Sequence, residues 1–184
     1  MKKRKNVNSK TLFITRAAVI AALYVVLTLV SALFGLDSKA IQVRISEALC
    51  VLPLYTSAAV PGVTVGCFLY NLFFGLSPLD TVFGTIATLL GALGTRYIGL
   101  FQKNALTAGI PTVISNTVII PLVIVFTYSD GQLAALPFTA LTVMIGEIIS
   151  CSVLGGVLLI ALKKYKKLLF GNDNGYANDN RKDT

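Results

Sequence analysis

Long stretches of this chain carry no charged side chain, and this limits the folds open to it more than any other feature. Residues 17–36 form one such stretch, and residues 48–79 form a longer one. About twenty consecutive apolar residues are enough to cross the hydrocarbon core of a bilayer. Charged residues make up only 13% of the chain, whereas soluble domains contain about 25%. The sequence therefore predicts an all-α integral membrane protein.

Prolines, glycines and polar turns divide the apolar chain into six predicted transmembrane helices. The second charge-free stretch is too long for one helix, and Pro53 and the pair Pro61-Gly62 interrupt it, which are strong break signals. Other breaks fall at Gly75 to Pro78 and at Ser129 to Gly131. The predicted helices occupy residues 17–36, 45–58, 60–75, 80–100, 105–127 and 133–163.

The basic residues predict the topology. They cluster before the first helix and after the last, and basic residues beside apolar spans mark the cytoplasmic side. Both termini are therefore predicted to be cytoplasmic, and a basic arm that binds RNA is the weaker alternative. The chain divides into a basic cytoplasmic arm (1–10), a six-helix transmembrane domain (11–168) and a polar, disordered cytoplasmic tail (169–184).

Polar side chains within the apolar segments predict a ligand site. Insertion of one ionisable group costs at least about 2.5–3.5 kcal/mol, so such groups usually serve a function. An ion pair between Arg44 and a glutamate, a helix cap at Asp80 and interhelical amide bonds are the structural alternatives. The pattern favours a polar, cationic small molecule as ligand. The candidate site residues are Arg44, Glu47, Asn71, Asp80, Asn116 and Glu147.

Small residues recur four positions apart on the first helix, at Ala17, Ala18, Ala21 and Ala22. Gly62 and Gly66 repeat this spacing further along the chain. Such patterns allow two helices to approach closely. The alanine face predicts either packing within the bundle or docking of another membrane subunit.

Several motifs are absent from the sequence. It contains no GxxxxGK[ST] phosphate loop, no HExxH and no GxSxG, so neither ATP hydrolysis nor a familiar enzyme chemistry is predicted. It contains no histidine, and Cys50, Cys67 and Cys151 form no CxxC pair, so no metal site is predicted. The cysteines are interpreted as packing residues.

The order of several motifs resembles the QueT family of queuosine-precursor transporters, over residues 10–165. The similarity is carried by Gln42–Leu54, Ala59–Gly62, Gly66–Asn71, Leu79–Leu90, Ser115–Asn116 and Gly146–Cys151. The resemblance implies a substrate-binding S component of an energy-coupling factor (ECF) transporter in the bacterial cytoplasmic membrane. It also implies three partner subunits, a transmembrane coupling subunit that docks on the alanine face and two cytoplasmic ATPases. The chain itself would then need no cofactor.

The ligand implied by this resemblance is 7-aminomethyl-7-deazaguanine, a cationic guanine-like base. Its ring edge and its ammonium group each call for a carboxylate, for which Glu47 and Glu147 are the first candidates and Asp80 the third. Arg44, Asn71 and Asn116 are candidate hydrogen-bond donors. Phe68 or Tyr70 is expected to stack on the ring. The alternatives are an S component for another vitamin or purine-like compound, a stand-alone permease and, least favoured, a membrane enzyme.

Overall fold

Helices make up all the regular secondary structure in the computed structural model, which describes residues 9–36, 42–75, 77–101, 107–128 and 133–170. The first half contains α1 (Ser9–Leu33), a 310 helix (Ile45–Leu54), α2 (Ala59–Phe74), a π-helical turn (Asp80–Gly84) and α3 (Thr85–Phe101). The second half contains α4 (Ile110–Tyr128), a 310 turn (Leu133–Ala135), α5 (Leu136–Glu147), a π-helical stretch (Ile148–Leu154), α6 (Gly155–Lys163) and α7 (Lys166–Phe170).

The described helices form a membrane bundle. Three of them are long and apolar enough to cross a bilayer: Ser9–Leu33, Ile110–Thr127 and the continuous helix Leu133–Lys163. Ile45–Leu54 and Ala59–Phe74 are also apolar but shorter. Large apolar side chains are exposed on the outside of the bundle, as a lipid-facing surface requires. The predicted all-α fold is confirmed for the described residues, the three long apolar helices are consistent with a membrane bundle, and crossing of the bilayer by all six segments stays a prediction.

Most helices lie close to their predicted positions, and the differences in the first two have local causes. The first helix was predicted over residues 17–36, but α1 begins at Ser9 and includes the charged residues Lys10 and Arg16, and it ends at Leu33 because Gly35 has a positive φ of 63°. Gly35 N–H donates to the Ala32 carbonyl (2.8 Å) and Leu36 N–H to the Ser31 carbonyl (2.9 Å), which is a Schellman cap. The second predicted helix ends at Leu54 and is a 310 helix.

This 310 helix is the centre of the bundle. Every residue from Ser46 to Leu54 is buried, and the segment packs against α1, α3 and α6. One hydrogen bond ties its end to α3, from Arg96 Nη1 to the Pro53 carbonyl at 3.2 Å. A ten-residue 310 helix is unusual, since such helices rarely exceed three or four residues. The surrounding helices therefore supply the packing that this geometry lacks on its own.

α1 and α2 cross closely because α2 carries glycine at the contact. A Cβ atom on Gly62 would lie 2.9 Å from the Ile20 Cβ, and one on Gly66 would lie 2.6 Å from the Tyr24 Cβ. Ala21 is buried beside this crossing, and Ala17 is half-buried. Ala18 and Ala22 remain exposed, so this pair is the part of the alanine face that is open to a partner.

Several predictions concern residues outside the described ranges. They include most of the basic arm (residues 1–8), most of the polar tail (residues 171–184) and the charges at Asp37, Lys39, Lys103 and Asp130. The cytoplasmic location of both termini stays a prediction.

Candidate ligand-binding site

A polar cavity of about 20 Å³ lies where the start of the 310 helix meets α3, α4 and α5. Four of the predicted site residues come together there from distant parts of the sequence. At this volume the cavity holds about one water molecule. Its walls are Gln42, Arg44, Glu47, Gly84, Thr88, Asn116, Ile120, Val143 and Glu147.

Both π-helical stretches border this cavity. The first ends at Gly84, which is one of the lining residues, and the second begins directly after Glu147. A π turn inserts one residue into the helical ladder and is frequent at functional sites. The inserted residue changes the direction of the side chains that precede and follow it. This local geometry contributes to the inward placement of Glu147.

Gly146 allows the segment before the 310 helix to approach α5. A Cβ atom on Gly146 would collide with the carbonyl oxygen of Gln42. The backbone at Gln42 therefore lies directly on α5, and only glycine permits this contact. As a result, Gln42 and Arg44 form one wall of the cavity while Glu147 forms another.

Glu47 is already held by hydrogen bonds. It is 2% exposed, the Tyr24 hydroxyl of α1 donates to its Oε1, and Cys50 Sγ donates to its Oε2 at 3.1 Å. Both carboxylate oxygens thus have a donor within the protein. These bonds fix the direction in which the Glu47 carboxylate faces the cavity.

Glu147 and Asn116 also line the cavity, and their hydrogen-bonding groups have fewer partners than those of Glu47. Both are buried, and the Asn116 amide donates to the Glu147 carboxylate. Glu147 Oε2 and Asn116 Oδ1 have no donor among the described residues. A buried acceptor without a donor costs about 1–3 kcal/mol. This side of the cavity therefore favours a ligand that donates hydrogen bonds.

Arg44 forms an ion pair with Asp80 at the edge of the cavity. Arg44 Nη2 lies 3.9 Å from Asp80 Oδ2, and the two side chains are 19% and 21% exposed. Asp80 does not cap its helix, because Ser77 Oγ accepts the Leu79 N–H at 3.2 Å instead. Arg44 Nε is buried and has no acceptor among the described residues, so it remains able to donate to a ligand.

The other three predicted site residues lie outside this cavity. Asn71 lines a second cavity of about 290 Å³, and its Nδ2 donates to the Asp80 carbonyl at 3.4 Å. Tyr70 is buried against Phe74, with ring centroids 5.6 Å apart. Phe68 is 41% exposed. Stacking of Phe68 or Tyr70 on a ligand stays a prediction without support from their positions.

Sequence reasoning missed Tyr24, which lies in an apolar helix and does not itself line the cavity. A signal was present, because Tyr24, Thr28 and Ser31 form a polar row at i, i+4 and i+7. All three are buried in the structure, and each bonds to the start of the 310 helix. Gln42 was also missed, since nothing in the sequence indicates its backbone contact with Gly146.

The fold and the cavity define a class of protein: a bundle of apolar helices, three of them long enough to cross a bilayer, around a buried cavity lined by charged side chains. A family model described as QueT transporter matches residues 14–164. The chain therefore belongs to the QueT transporter family, a family of transporters rather than enzymes.

One relative is the queuosine precursor transporter QueT of Lactococcus lactis subsp. cremoris (strain MG1363), which is 35% identical over 97 residues. The match covers 52% of this chain and 57% of the relative, so the chain spans just over half of that protein's length. No solved structure matches the chain.

Proposed function

We propose that this chain is the S component of an ECF-type importer and binds 7-aminomethyl-7-deazaguanine (pre-queuosine-1). Family membership supports a transport role, and the name of the Lactococcus relative supports a queuosine precursor as substrate. The observation that carries the proposal is the pair of buried acceptors without donors, Glu147 Oε2 and Asn116 Oδ1. This ligand is rich in donors and carries a positive charge.

Each polar group of the ligand can be assigned a partner among the residues that line the cavity. The guanine-like edge presents a ring N–H and an exocyclic amine side by side, next to the ring carbonyl, which in turn neighbours the aminomethyl group. We assign the two N–H donors to Glu147 and Asn116 and the carbonyl to Arg44 Nε. The ammonium then meets Glu47, which stands three residues after Arg44 in the chain. Hydrogen bonds to charged groups contribute about 1.5–3 kcal/mol each.

Charge in the cavity supports the same ligand. Arg44 is compensated by Asp80, whereas Glu47 and Glu147 have no cation within ion-pair distance among the described residues. Buried charges in a membrane need a partner. A monocation with neutral donors meets this need better than a neutral purine does.

The proposed assembly is the one that the resemblance to ECF S components implies. ATP would be hydrolysed by two cytoplasmic partner subunits and coupled through a third, transmembrane subunit, which agrees with the absence of a phosphate loop from this sequence. The exposed pair Ala18 and Ala22 on α1 is its proposed docking face. The chain would need no cofactor of its own.

In this proposal six segments cross the bacterial cytoplasmic membrane, with both termini inside. Single cysteines at Leu33 and Leu168, which are 85% and 81% exposed, test this topology. An impermeant maleimide applied to intact cells should label position 33 only. Labelling of both positions would contradict the six-span arrangement.

The alternatives predict different behaviour. An S component for another vitamin or purine-like compound would bind that compound more tightly than any deazaguanine. A stand-alone permease would transport in cells that lack the shared ATPases. A membrane enzyme would convert its ligand, which product analysis would reveal.

Titration calorimetry on the purified protein tests the ligand directly. We compare 7-aminomethyl-7-deazaguanine, its 7-cyano analogue and guanine. One charge-assisted contact predicts that the aminomethyl compound binds about tenfold or more tighter than the cyano compound. Glu47→Gln should remove this preference and leave binding of the cyano compound within about twofold. Equal affinity of wild-type protein for guanine and the aminomethyl compound would contradict the proposal.

A further inference from the structure

Tyr24 connects α1 to a residue that lines the cavity. It is 1% exposed and does not line the cavity, yet its hydroxyl donates to Glu47 Oε1. It also contacts Cys67, whose Sγ accepts from Thr88 Oγ1 at 3.3 Å, but Glu47 is the lining residue that its hydroxyl reaches directly. This makes Tyr24 a residue that acts on the site without touching its occupant.

Packing fixes the Tyr24 ring in place. Gly66 of α2 faces it so closely that a Cβ atom on Gly66 would lie 2.6 Å from the Tyr24 Cβ and 3.0 Å from its Cγ. A ring held between two helices has few alternative rotamers. Its hydroxyl therefore offers the carboxylate a donor in a fixed position.

The neighbouring bonds of α1 reach the same segment but not Glu47. Thr28 Oγ1 donates to Ser46 Oγ at 2.7 Å, and Ser31 Oγ accepts the Ile45 N–H at 2.9 Å. These two bonds secure the backbone at the start of the 310 helix. The Tyr24 bond differs because its acceptor is a side chain that lines the cavity.

We infer that Tyr24 is a positioning residue that orients the Glu47 carboxylate toward the ligand's cationic group. The inference rests on the proposed function, in which Glu47 receives the ammonium. Without the hydroxyl, Oε1 loses its fixed donor, and the carboxylate is held only by the weaker thiol bond from Cys50 to Oε2. Preorganisation of the binding group is lost, and with it affinity for the cation.

The test compares Tyr24→Phe with Thr28→Val, which removes a buried hydroxyl from the same row without touching Glu47. Tyr24→Phe should weaken binding of 7-aminomethyl-7-deazaguanine about tenfold and leave the cyano analogue within about twofold. Thr28→Val should leave both ligands within about twofold. A general packing defect would weaken both ligands alike, so the ligand comparison separates positioning from structure.

A double-mutant cycle with Glu47→Gln completes the test. In the Glu47→Gln background, Tyr24→Phe should have no further effect on either ligand. A loss of similar size in both backgrounds, or no loss in either, would overturn the inference. If Glu47→Gln alone changes nothing, the assignment of Glu47 in the proposed function is itself wrong. Retained binding of the cyano analogue by Tyr24→Phe shows in the same experiment that this variant is folded.

Discussion

The cavity and the outward face of α1 are the two regions that the proposed function needs, and they differ in burial, charge and polarity. The cavity brings together charged and amide side chains that are buried and partly without partners. The outward face of α1 presents small, uncharged residues at Ala18 and Ala22, both exposed. The first surface suits a polar small molecule, and the second suits close approach of another helix.

In the proposed function, ligand binding and subunit docking therefore use separate surfaces. The two surfaces lie on opposite sides of α1, with Tyr24 on the inner side and Ala22 on the outer. A change confined to one side should therefore alter one activity. The following predictions test that separation, from the largest effect to the smallest.

Bulky residues on the outward face should abolish transport. Replacement of Ala18 and Ala22 together by Trp removes the close-approach surface, so uptake should fall to background while ligand affinity stays within about twofold. Uptake by cells and calorimetry on the purified protein measure the two effects. Val19 and Leu23 have the same spacing, are 53% and 47% exposed, and provide the matched control. Their replacement by Trp should preserve uptake.

Glu147→Gln should cause the largest loss of binding. The amide replaces an acceptor oxygen by a donor at the ligand's N–H edge, so affinity for both the aminomethyl and the cyano compound should fall about a hundredfold. The midpoint temperature of thermal unfolding should change little or rise, because a buried carboxylate oxygen without a donor, Oε2, is removed. A loss below about twofold would show that Glu147 does not contact the ligand.

Asp80→Asn should have the smallest effect within the cavity region. Its ion pair with Arg44 is 3.9 Å long and both side chains are partly exposed, and exposed pairs contribute only about 0–1 kcal/mol. Affinity should fall about threefold or less. A loss approaching that of Glu147→Gln would mean that Asp80 binds the ligand itself, as the sequence allowed. Calorimetry with the aminomethyl compound decides between these outcomes.

Most of the fold could be predicted from the sequence, because a helix that crosses a bilayer must be long, apolar and nearly free of charge. Charge-free stretches, prolines and glycines indicated most helical segments to within a few residues. The first helix was placed eight residues too late at its start, because the charge-free criterion excluded Lys10 and Arg16, which lie within α1. A positive φ at Gly35 ended α1 early. Nothing in the sequence predicted that Ile45–Leu54 is a 310 helix, because hydrophobic content alone cannot distinguish a 310 helix from an α-helix.

The candidate site could be predicted only in part from the sequence. The free-energy cost of burying a charge identified Arg44, Glu47 and Glu147 as candidate site residues without any knowledge of their neighbours. The sequence did not predict which charged side chains form ion pairs, because this depends on how the helices pack. In the structure Arg44 pairs with Asp80 rather than with a glutamate. The aromatic candidates were chosen by type alone, and neither Phe68 nor Tyr70 reaches the cavity.

The small volume of the cavity has a consequence for the rate of binding. A space of about 20 Å³ cannot admit a bicyclic base, so the proposed ligand would have to enter a wider conformation. The measured dissociation constant then equals the intrinsic one divided by the fraction of molecules that are open. If opening precedes binding, the observed association rate levels off at high ligand concentration, at the rate of opening. Diffusion would then no longer set the speed of capture.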